Sequence, residues 1–297
     1  MTHWIAFAPI NVADAKGFWK ELDLNIQVKN FSGEEDGGTA FRSKATDIDV
    51  DMIGTFIGNY MDQIPLVVVA EMDWSNGGDK IITKKDFDLS GVKGKTIGTY
   101  SDKPAATFFI NKFLSANGIS LKDITLASME PEQLTQNFVS GRMPLILNYD
   151  PQAIKAVKDG AGVVRATTAT YPGSMPEGVS IRADVFKAMP KEDLVNFFKG
   201  WIKATKWAKD PANWNDFVQI LNTKTFEGEE PYSEQELKDM LASVKLHSVA
   251  ELKERNTTGI FEHIKELRAF LENTGGMSRD FKIEELVDTS AILKAME

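Results

Sequence analysis

The sequence predicts an α/β protein made of two α/β units followed by a series of helices. In the first half of the chain, short apolar segments alternate with amphipathic ones, as expected when strands alternate with helices. A second series of this kind begins near residue 85, and from residue 183 onward only helical spacing remains. A chain of 297 residues is long enough for two compact units with separate cores.

Composition excludes several classes of protein. A net charge of −9 argues against a surface for nucleic acid or an anionic membrane. The longest apolar run, residues 64–70, is much shorter than the roughly 18 residues that suggest a membrane span. Cysteine is absent, which removes disulfides, thiol catalysis and thiolate metal sites. No signal peptide is visible in this numbering, so we expect either a cytosolic protein or a processed or trimmed form.

The first unit consists of three predicted strand–helix pairs. Its predicted strands are residues 4–7, 25–29 and 50–53, and its predicted helices are residues 12–22, 39–44 and 56–61. This succession predicts a parallel sheet with helices on both faces. Residues 67–83 follow as a strand, an acidic glycine-containing turn and a second strand. Because open α/β sheets bind ligands at strand ends, we expect this turn to form one wall of a binding cleft.

The second unit repeats the alternation. Its predicted strands are residues 96–99, 124–127, 145–147 and 163–166, and its predicted helices are residues 104–116, 131–140 and 152–158. A strand at residues 179–181 follows a segment rich in proline and glycine. Paired crossings near residues 83–87 and 178–182 make this unit an inserted lobe. We therefore predict lobe I from residues 1–84 and 180–297, and lobe II from residues 85–179, closing on a ligand like a hinge.

The last third of the chain is predicted to be helical. The predicted helices are residues 191–209, 211–221, 233–243, 261–274 and 290–296. In the first of them, Leu194, Phe198 and Trp201 fall on one face, so this helix should pack against a core.

Catalytic motifs are missing from the sequence. The histidines His3, His247 and His263 are far apart and none belongs to an HExxH pattern. Ser75 lacks a GxSxG context, and no Walker or GxGxxG sequence is present. We therefore predict a protein that is not an enzyme and that has no cofactor and no metal site.

Five patterns, taken in chain order, resemble one protein family. They are AKGFWKELDL at residues 15–24, DWSNGGD at 73–79, LSGVKGKTIG at 89–98, NYDP at 148–151, and AFL with GG and LVDTS between residues 269 and 290. In this order they resemble the nitrate/sulfonate/taurine-type substrate-binding proteins of bacterial ABC transporters. Tyr149 and Asp150 stand where that family commonly has Trp and Glu. Related fungal enzymes that make a pyrimidine precursor use cysteine-rich and histidine motifs that this sequence lacks.

The resemblance implies a fold, a partner and a location. The fold is the two-lobed periplasmic-binding-protein fold of type II, with an all-helical C-terminal extension on lobe I. The partners are a small-molecule ligand and an ABC permease, and the protein is expected to be a monomer in the periplasm or outside the cell. Two alternatives stay open, namely a ligand-binding sensor domain of a signalling receptor and a binding protein for a sulfonate or oxyanion.

The candidate ligand residues stand at strand ends and helix starts. They are Phe7, Thr55, Phe56, Asp73, Trp74, Ser101, Asp102, Asn148, Tyr149, Asp150 and Tyr171. Carboxylates beside aromatic faces suit an amine or another cationic nitrogen compound, including one that resembles a pyrimidine. A sulfonate or nitrate would instead need hydrogen-bond donors. We assign Gly77, Gly78 and Asp79 to the architecture of the turn itself.

Overall fold

Two β-sheets with flanking helices form the frame of the protein in the computed structural model, which describes residues 1–297 apart from the side chain of residue 34. The strands are β1 Ile48–Met52, β2 Leu66–Ser75, β3 Asp79–Lys84, β4 Thr96–Thr99, β5 Thr125–Ser128, β6 Leu145–Tyr149, β7 Gly162–Thr167, β8 Pro176–Arg182 and β9 Val244–Leu246. The helices are α1 Ala8–Ala15, α2 Glu34–Arg42, α3 Ile53–Met61, α4 Pro104–Ala116, α5 Pro131–Val139, α6 Gln152–Asp159, α7 Ala183–Ala188, α8 Lys191–Ala208, α9 Trp214–Ile220, α10 Glu234–Ala242, α11 Val249–Glu254, α12 Ile260–Thr274, α13 Ile283–Leu286 and α14 Ser290–Ala295.

The first sheet has the order β1-β8-β2-β9, and each pair of neighbours is antiparallel. The predicted parallel sheet in the first unit is therefore wrong. The reason is that β8 returns from the middle of the chain and inserts between β1 and β2, which would otherwise lie side by side. A pairing over more than 100 residues leaves no periodic trace in the sequence.

The second sheet has the order β5-β4-β6-β3-β7. Strand β4 pairs in parallel with β5 and β6, whereas β3 is antiparallel to β6 and β7. Residues 79–84, which the predicted boundary places in lobe I, thus belong to the second sheet. Conversely, residues 176–179, placed in lobe II, lie in β8 of the first sheet. The chain changes sheets earlier than predicted because it turns at residues 76–78, directly after β2.

The N-terminal segment differs from its prediction. Residues 5–7 form a short 3-10 helix that continues into α1, where the strand at residues 4–7 was expected. Pro9 stands in the first turn of α1, a position that suits proline because its missing N–H has no partner there. All residues from Trp4 to Phe7 are buried, and a short apolar run that is buried on every side does not distinguish a strand from a helix. Residues 25–29 belong to neither sheet.

The C-terminal part is helical, as predicted, with the three-residue strand β9 as an exception that pairs with the end of β2. Helix α8 buries Phe198 and Trp201 completely. None of the described helices is both long enough and apolar enough to span a membrane.

Helices α3 and α4 bring the two halves of the structure together. A Cβ atom at Gly54 would lie 2.5 Å from the backbone nitrogen of Ala105, so only glycine permits this approach. Phe108 of α4 lies 5.4 Å, between ring centroids, from Phe270 of α12, inside an apolar cluster beside the first sheet. The two segments that connect the sheets also contact each other, with the hydroxyl oxygens of Ser75 and Thr168 2.9 Å apart.

Candidate functional site

A small cavity of about 20 Å³ lies between the two sheets. It is lined by Thr2, Trp4, Phe7, Asp51, Met52, Asp79, Tyr100, Tyr149 and Glu177. Three of these residues carry a carboxyl group and four carry an aromatic ring.

Both sheets contribute carboxyl groups to the cavity. Asp51 comes from β1 and Glu177 from β8, neighbouring strands of the first sheet. Asp79 opens β3 of the second sheet, where it is the cross-strand partner of Tyr149 at the end of β6. Tyr100 directly follows β4 of the same sheet. Strand ends of two sheets thus converge on one cavity, which is where α/β sheets place their ligands.

Aromatic side chains fix two of the carboxyl groups. The indole Nε1 of Trp4 donates a hydrogen bond of 2.8 Å to Oε2 of Glu177, and the hydroxyl of Tyr100 donates one of 2.6 Å to Oδ1 of Asp79. The Tyr149 ring meets the Trp4 and Tyr100 rings edge to face, at centroid distances of 5.8 and 4.9 Å. This chain of rings holds the carboxyl groups in defined positions.

Burial shifts the titration of all three carboxyl groups upward. It raises the pKa of Asp51 to about 7, and the nearby charge of Asp49 adds to that rise. Burial also raises the pKa of Asp79, although hydrogen bonds from Ser75 and Tyr100 oppose the shift. The pKa of Glu177 lies well above its ordinary value, because of burial first and the charge of Asp73 second. A cation inside the cavity would favour the ionised form of each group.

Asp73 stands behind the cavity wall. It is the cross-strand partner of Glu177 and is fully buried, with an exposed fraction of 0%. No N–H or hydroxyl donor among the described residues reaches either of its carboxyl oxygens. Burial raises its pKa to about 6, against the lowering effects of the neighbouring Glu177 carboxyl group and of His247.

The cation beside Glu71 is already paired. Arg255 donates two hydrogen bonds to Glu71, of 2.7 and 3.0 Å, and Nε1 of Trp74 donates a third of 2.7 Å. Nε2 of His247 lies 3.3 Å from the same carboxylate. Among the residues that the structure describes, no lysine, arginine or histidine lines the cavity.

This arrangement is suited to a small cation. Carboxyl groups supply charge and acceptor oxygens, and aromatic rings supply faces that attract positive charge. In the part of the chain that the structure describes, no three His, Cys, Asp or Glu side chains are placed to hold a metal ion.

Five of the sequence-predicted residues line the cavity or the groove beside it. Phe7 and Tyr149 line the cavity. Thr55, Ser101 and Asp102 line an adjoining groove of about 630 Å³, whose lining shares Asp51 and Tyr100 with the cavity.

The other six predicted residues lie outside the cavity. Phe56 is fully buried in the apolar cluster that contains Phe108. Trp74 donates to Glu71, and Asp73 backs Glu177. The amide of Asn148 bonds to the carbonyl of Pro131 and to Thr135, Asp150 pairs with Lys80, and the Tyr171 ring lies 6.1 Å, between centroids, from that of Phe109.

Sequence reasoning missed several cavity residues. Asp51 left a signal, because Asp49 and Asp51 interrupt a strand that is otherwise apolar. Glu177 lies in a segment that its prolines and glycine kept out of the predicted strand, although β8 already begins at Pro176. Asp79 was assigned to the turn, whereas it lies in β3 and faces the cavity. Tyr100 had no distinguishing pattern.

Comparison with sequences identifies relatives. A family model described as the NMT1-like family matches residues 1–222. The protein YtlA of Bacillus subtilis (strain 168) is 25% identical over 219 residues, which cover 71% of this chain and 65% of YtlA. The bicarbonate transport ATP-binding protein CmpC of Synechococcus elongatus is 21% identical over 243 residues, 75% of this chain and 36% of that protein. The chain thus spans less than two thirds of the length of these relatives.

Solved structures share the fold at low identity. The ligand-binding component of an ABC-type import system from Staphylococcus aureus, with zinc bound, superposes with a TM-score of 0.77 at 13% identity, covering 99% of this chain and 96% of that one. The alkanesulfonate-binding protein SsuA from Xanthomonas axonopodis pv. citri, bound to MOPS, gives 0.72 at 14% identity, with 96% of each chain covered. The periplasmic nitrate-binding protein NrtA from Synechocystis PCC 6803 gives 0.66 at 16% identity, covering 99% and 86%. The predicted periplasmic-binding-protein fold is confirmed.

Proposed function

The chain belongs to the NMT1-like family, and from this premise we propose that it is an extracytoplasmic solute-binding protein that captures a small cationic nitrogen compound for an ABC importer. The ligand is an amine or a protonated pyrimidine-like ring. It binds without being transformed, between two lobes that correspond to the two sheets. The ABC permease is its partner in the membrane.

The observation that carries this proposal is the lining of the cavity. Three carboxyl groups, those of Asp51, Asp79 and Glu177, face one cavity beside aromatic rings, and no lysine, arginine or histidine is among the described residues that line it. An anion there would meet negative charge in a region of low dielectric, where repulsion is strong. A cation would gain charge-assisted hydrogen bonds and contacts with the ring faces.

The cavity is far smaller than most ligand pockets. Ligand pockets usually measure roughly 300–1,000 Å³, whereas this cavity measures about 20 Å³, so a ligand must enter while the two sheets stand further apart. The solved relatives include proteins for alkanesulfonates and nitrate, which are anions. The proposal therefore gives this chain the shared fold with the opposite ligand charge.

A thermal-shift screen tests the sign of the ligand charge. Methylammonium, tetramethylammonium and guanidinium chlorides should raise the melting temperature, because a ligand at 100 times its Kd stabilises the folded state by about 2.7 kcal/mol. Sodium nitrate and sodium methanesulfonate at the same ionic strength should not. Stabilisation by the anions alone would reject the cationic ligand.

Variants that each replace one carboxyl group by an amide locate the binding site. Asp79→Asn and Glu177→Gln each remove one acid that a bound cation would ionise, and each should weaken tetramethylammonium binding about 30-fold, since truncating one side of a buried charge contact costs about 2 kcal/mol or more. Asp86→Asn removes the same charge from an exposed position and should leave the affinity unchanged. Equal effects in all three variants would indicate a general charge effect and reject the cavity as the site.

A further inference from the structure

Two carboxyl groups face each other directly behind the cavity wall. Asp73 on β2 and Glu177 on β8 are cross-strand partners, so their side chains project from the same face of the first sheet. Asp73 is 0% exposed and Glu177 is 3% exposed. We propose that this pair shares one proton at neutral pH, with Glu177 holding the proton and Asp73 acting as the positioning residue that keeps it there.

The hydrogen-bond donors around the two carboxyl groups support this assignment. Neither oxygen of Asp73 receives a hydrogen bond from an N–H or hydroxyl group of the described residues. The indole of Trp4 donates to Oε2 of Glu177 and not to Asp73. Two buried carboxylates in contact, without a cation between them, do not both ionise. A proton on Glu177 converts that residue into the donor that Asp73 otherwise lacks.

The charges around the pair leave the proton in place. On β2, Glu71 adds negative charge, but it is occupied by Arg255 and His247. Arg255 directs two of its nitrogens at Glu71, so this neighbouring cation is spent on another carboxylate. Burial, the charge of Asp73 and the more distant charge of Asp79 on β3 all raise the pKa of Glu177.

On the cavity side, Asp51 of β1 and Asp79 of β3 are further acids, and the hydroxyl of Tyr100 is directed at Asp79. The other tyrosine of the lining, Tyr149, packs against the Trp4 ring. Among the described residues that line the cavity, none therefore brings a positive charge to Glu177.

The pair links ligand binding to proton release, and this step rests on the proposed function. A cation in the cavity stabilises ionised Glu177, so the proton leaves the carboxyl group for the buffer as the cation enters. The charge of the cation thus replaces that of the proton beside Glu177. Ionised Asp73 then remains opposite ionised Glu177, with the ligand as the compensating charge.

The molecule contains its own reporter and its own control. Nε1 of Trp4 donates to Glu177 at 2.8 Å, and Nε1 of Trp214 donates to Glu234 at 2.9 Å. Each indole therefore reports on the charge of one glutamate. Hydrogen bonds from Trp214 and Lys238 lower the pKa of Glu234, so that its charge should not change near neutrality.

The test follows the indole ¹H–¹⁵N resonances of the whole protein by NMR from about pH 5 to about pH 9, a window above the ordinary pKa of a glutamate. Trp4→Phe and Trp214→Phe assign the two signals. The Trp4 resonance should move with a midpoint well above the usual glutamate range, while that of Trp214 stays still. A Trp4 resonance that does not titrate in this window would overturn the shared proton.

The Asp73→Asn variant tests the positioning role. It removes the negative charge and supplies an amide donor, so the Trp4 midpoint should fall toward the ordinary glutamate range, whereas Asp86→Asn should leave it unchanged. An unchanged midpoint in Asp73→Asn would overturn the role of Asp73. If this variant does not fold, the wild-type titration still decides whether the proton is present.

Adding tetramethylammonium, whose charge does not titrate, separates the two proposals. Under both, it lowers the Trp4 midpoint in the wild type. If the Trp4 midpoint does not change when the cation is added, the shared proton is still supported and the proposed function is contradicted. Absence of the titration would overturn the pair whether or not the cation binds.

Discussion

The hydroxyl of Tyr100 donates a 2.6 Å hydrogen bond to Oδ1 of Asp79, and this bond joins an aromatic wall of the cavity to one of its carboxyl groups. Tyr100 is in turn in edge-to-face contact with Tyr149. The bond opposes the rise that burial imposes on the pKa of Asp79. Tyr100 therefore helps to keep a negative charge available in a buried space.

Tyr100→Phe removes the hydroxyl and keeps the ring. We expect the affinity for tetramethylammonium at pH 7 to fall about tenfold, because a hydrogen bond to a charged group contributes about 1.5 kcal/mol or more. Calorimetric titration measures the change. Tyr232→Phe is the matched control, since the Tyr232 hydroxyl also donates to a carboxylate, that of Glu229, outside the cavity. Loss of affinity in the control alone would contradict the assigned role of Tyr100.

The affinity for a cation of fixed charge should rise with pH. The free cavity holds protons on acids whose pKa is raised, with Asp51 at about 7, and bound cation favours their loss. Below the raised pKa values, each released proton makes the affinity increase by up to about tenfold per pH unit, and the increase ends once the acids are ionised. Calorimetric titrations with tetramethylammonium at pH 6, 7 and 8 measure this. An affinity that falls with pH would contradict release of protons on binding.

Glu71→Gln should destabilise the fold. Glu71 is 0% exposed and accepts hydrogen bonds from Arg255 and Trp74, so its loss leaves a largely buried guanidinium without a counter-charge. Breaking one side of a buried ion pair costs about 3 kcal/mol or more. Urea unfolding followed by tryptophan fluorescence measures the difference. Glu234→Gln is the exposed counterpart, because Glu234 also accepts from a tryptophan, Trp214, and pairs with a cation, Lys238. Similar losses in the two variants would show that burial is not the deciding factor.

Gly54→Ala tests the contact between α3 and α4. The added methyl group would lie 2.5 Å from the nitrogen of Ala105, so the helices must separate. Overpacking of this kind costs about 1–3 kcal/mol, which urea unfolding measures directly. Gly91→Ala is the control, as nothing lies within 4 Å of a Cβ atom at Gly91. Unchanged stability of Gly54→Ala would show that the helices adjust without cost.

The sequence was sufficient for features that depend on local periodicity. Alternating apolar segments predicted the two α/β units, and the face that contains Phe198 and Trp201 predicted the packed helix α8. The antiparallel first sheet was not predictable in this way, because β8 reaches β1 and β2 only through the folded chain. The short apolar run that begins at Trp4 shows the same limit, because it has no pattern that separates a 3-10 turn from a strand.

The cavity was only partly predictable for a related reason. Phe7 and Tyr149 were identified from strand and helix ends, and both line it. Asp150, another strand-end candidate, pairs with Lys80 instead. A sequence shows which side chains carry charge but not which cation neutralises each of them. Glu71 and Glu177 occupy neighbouring strands, yet the first is paired with Arg255 and the second faces the cavity.

The cavity wall is divided between the sheets, since Asp51 and Glu177 belong to the first and Asp79 to the second. Ionised acids on opposite walls repel each other and favour separation of the walls, whereas a cation between them draws them together. Under the proposed function, ligand affinity and compaction are then a single equilibrium. A permease that pulls the walls apart would release its cargo because the cation could then contact the acids of one wall only, and it would not need to compete for the ligand itself.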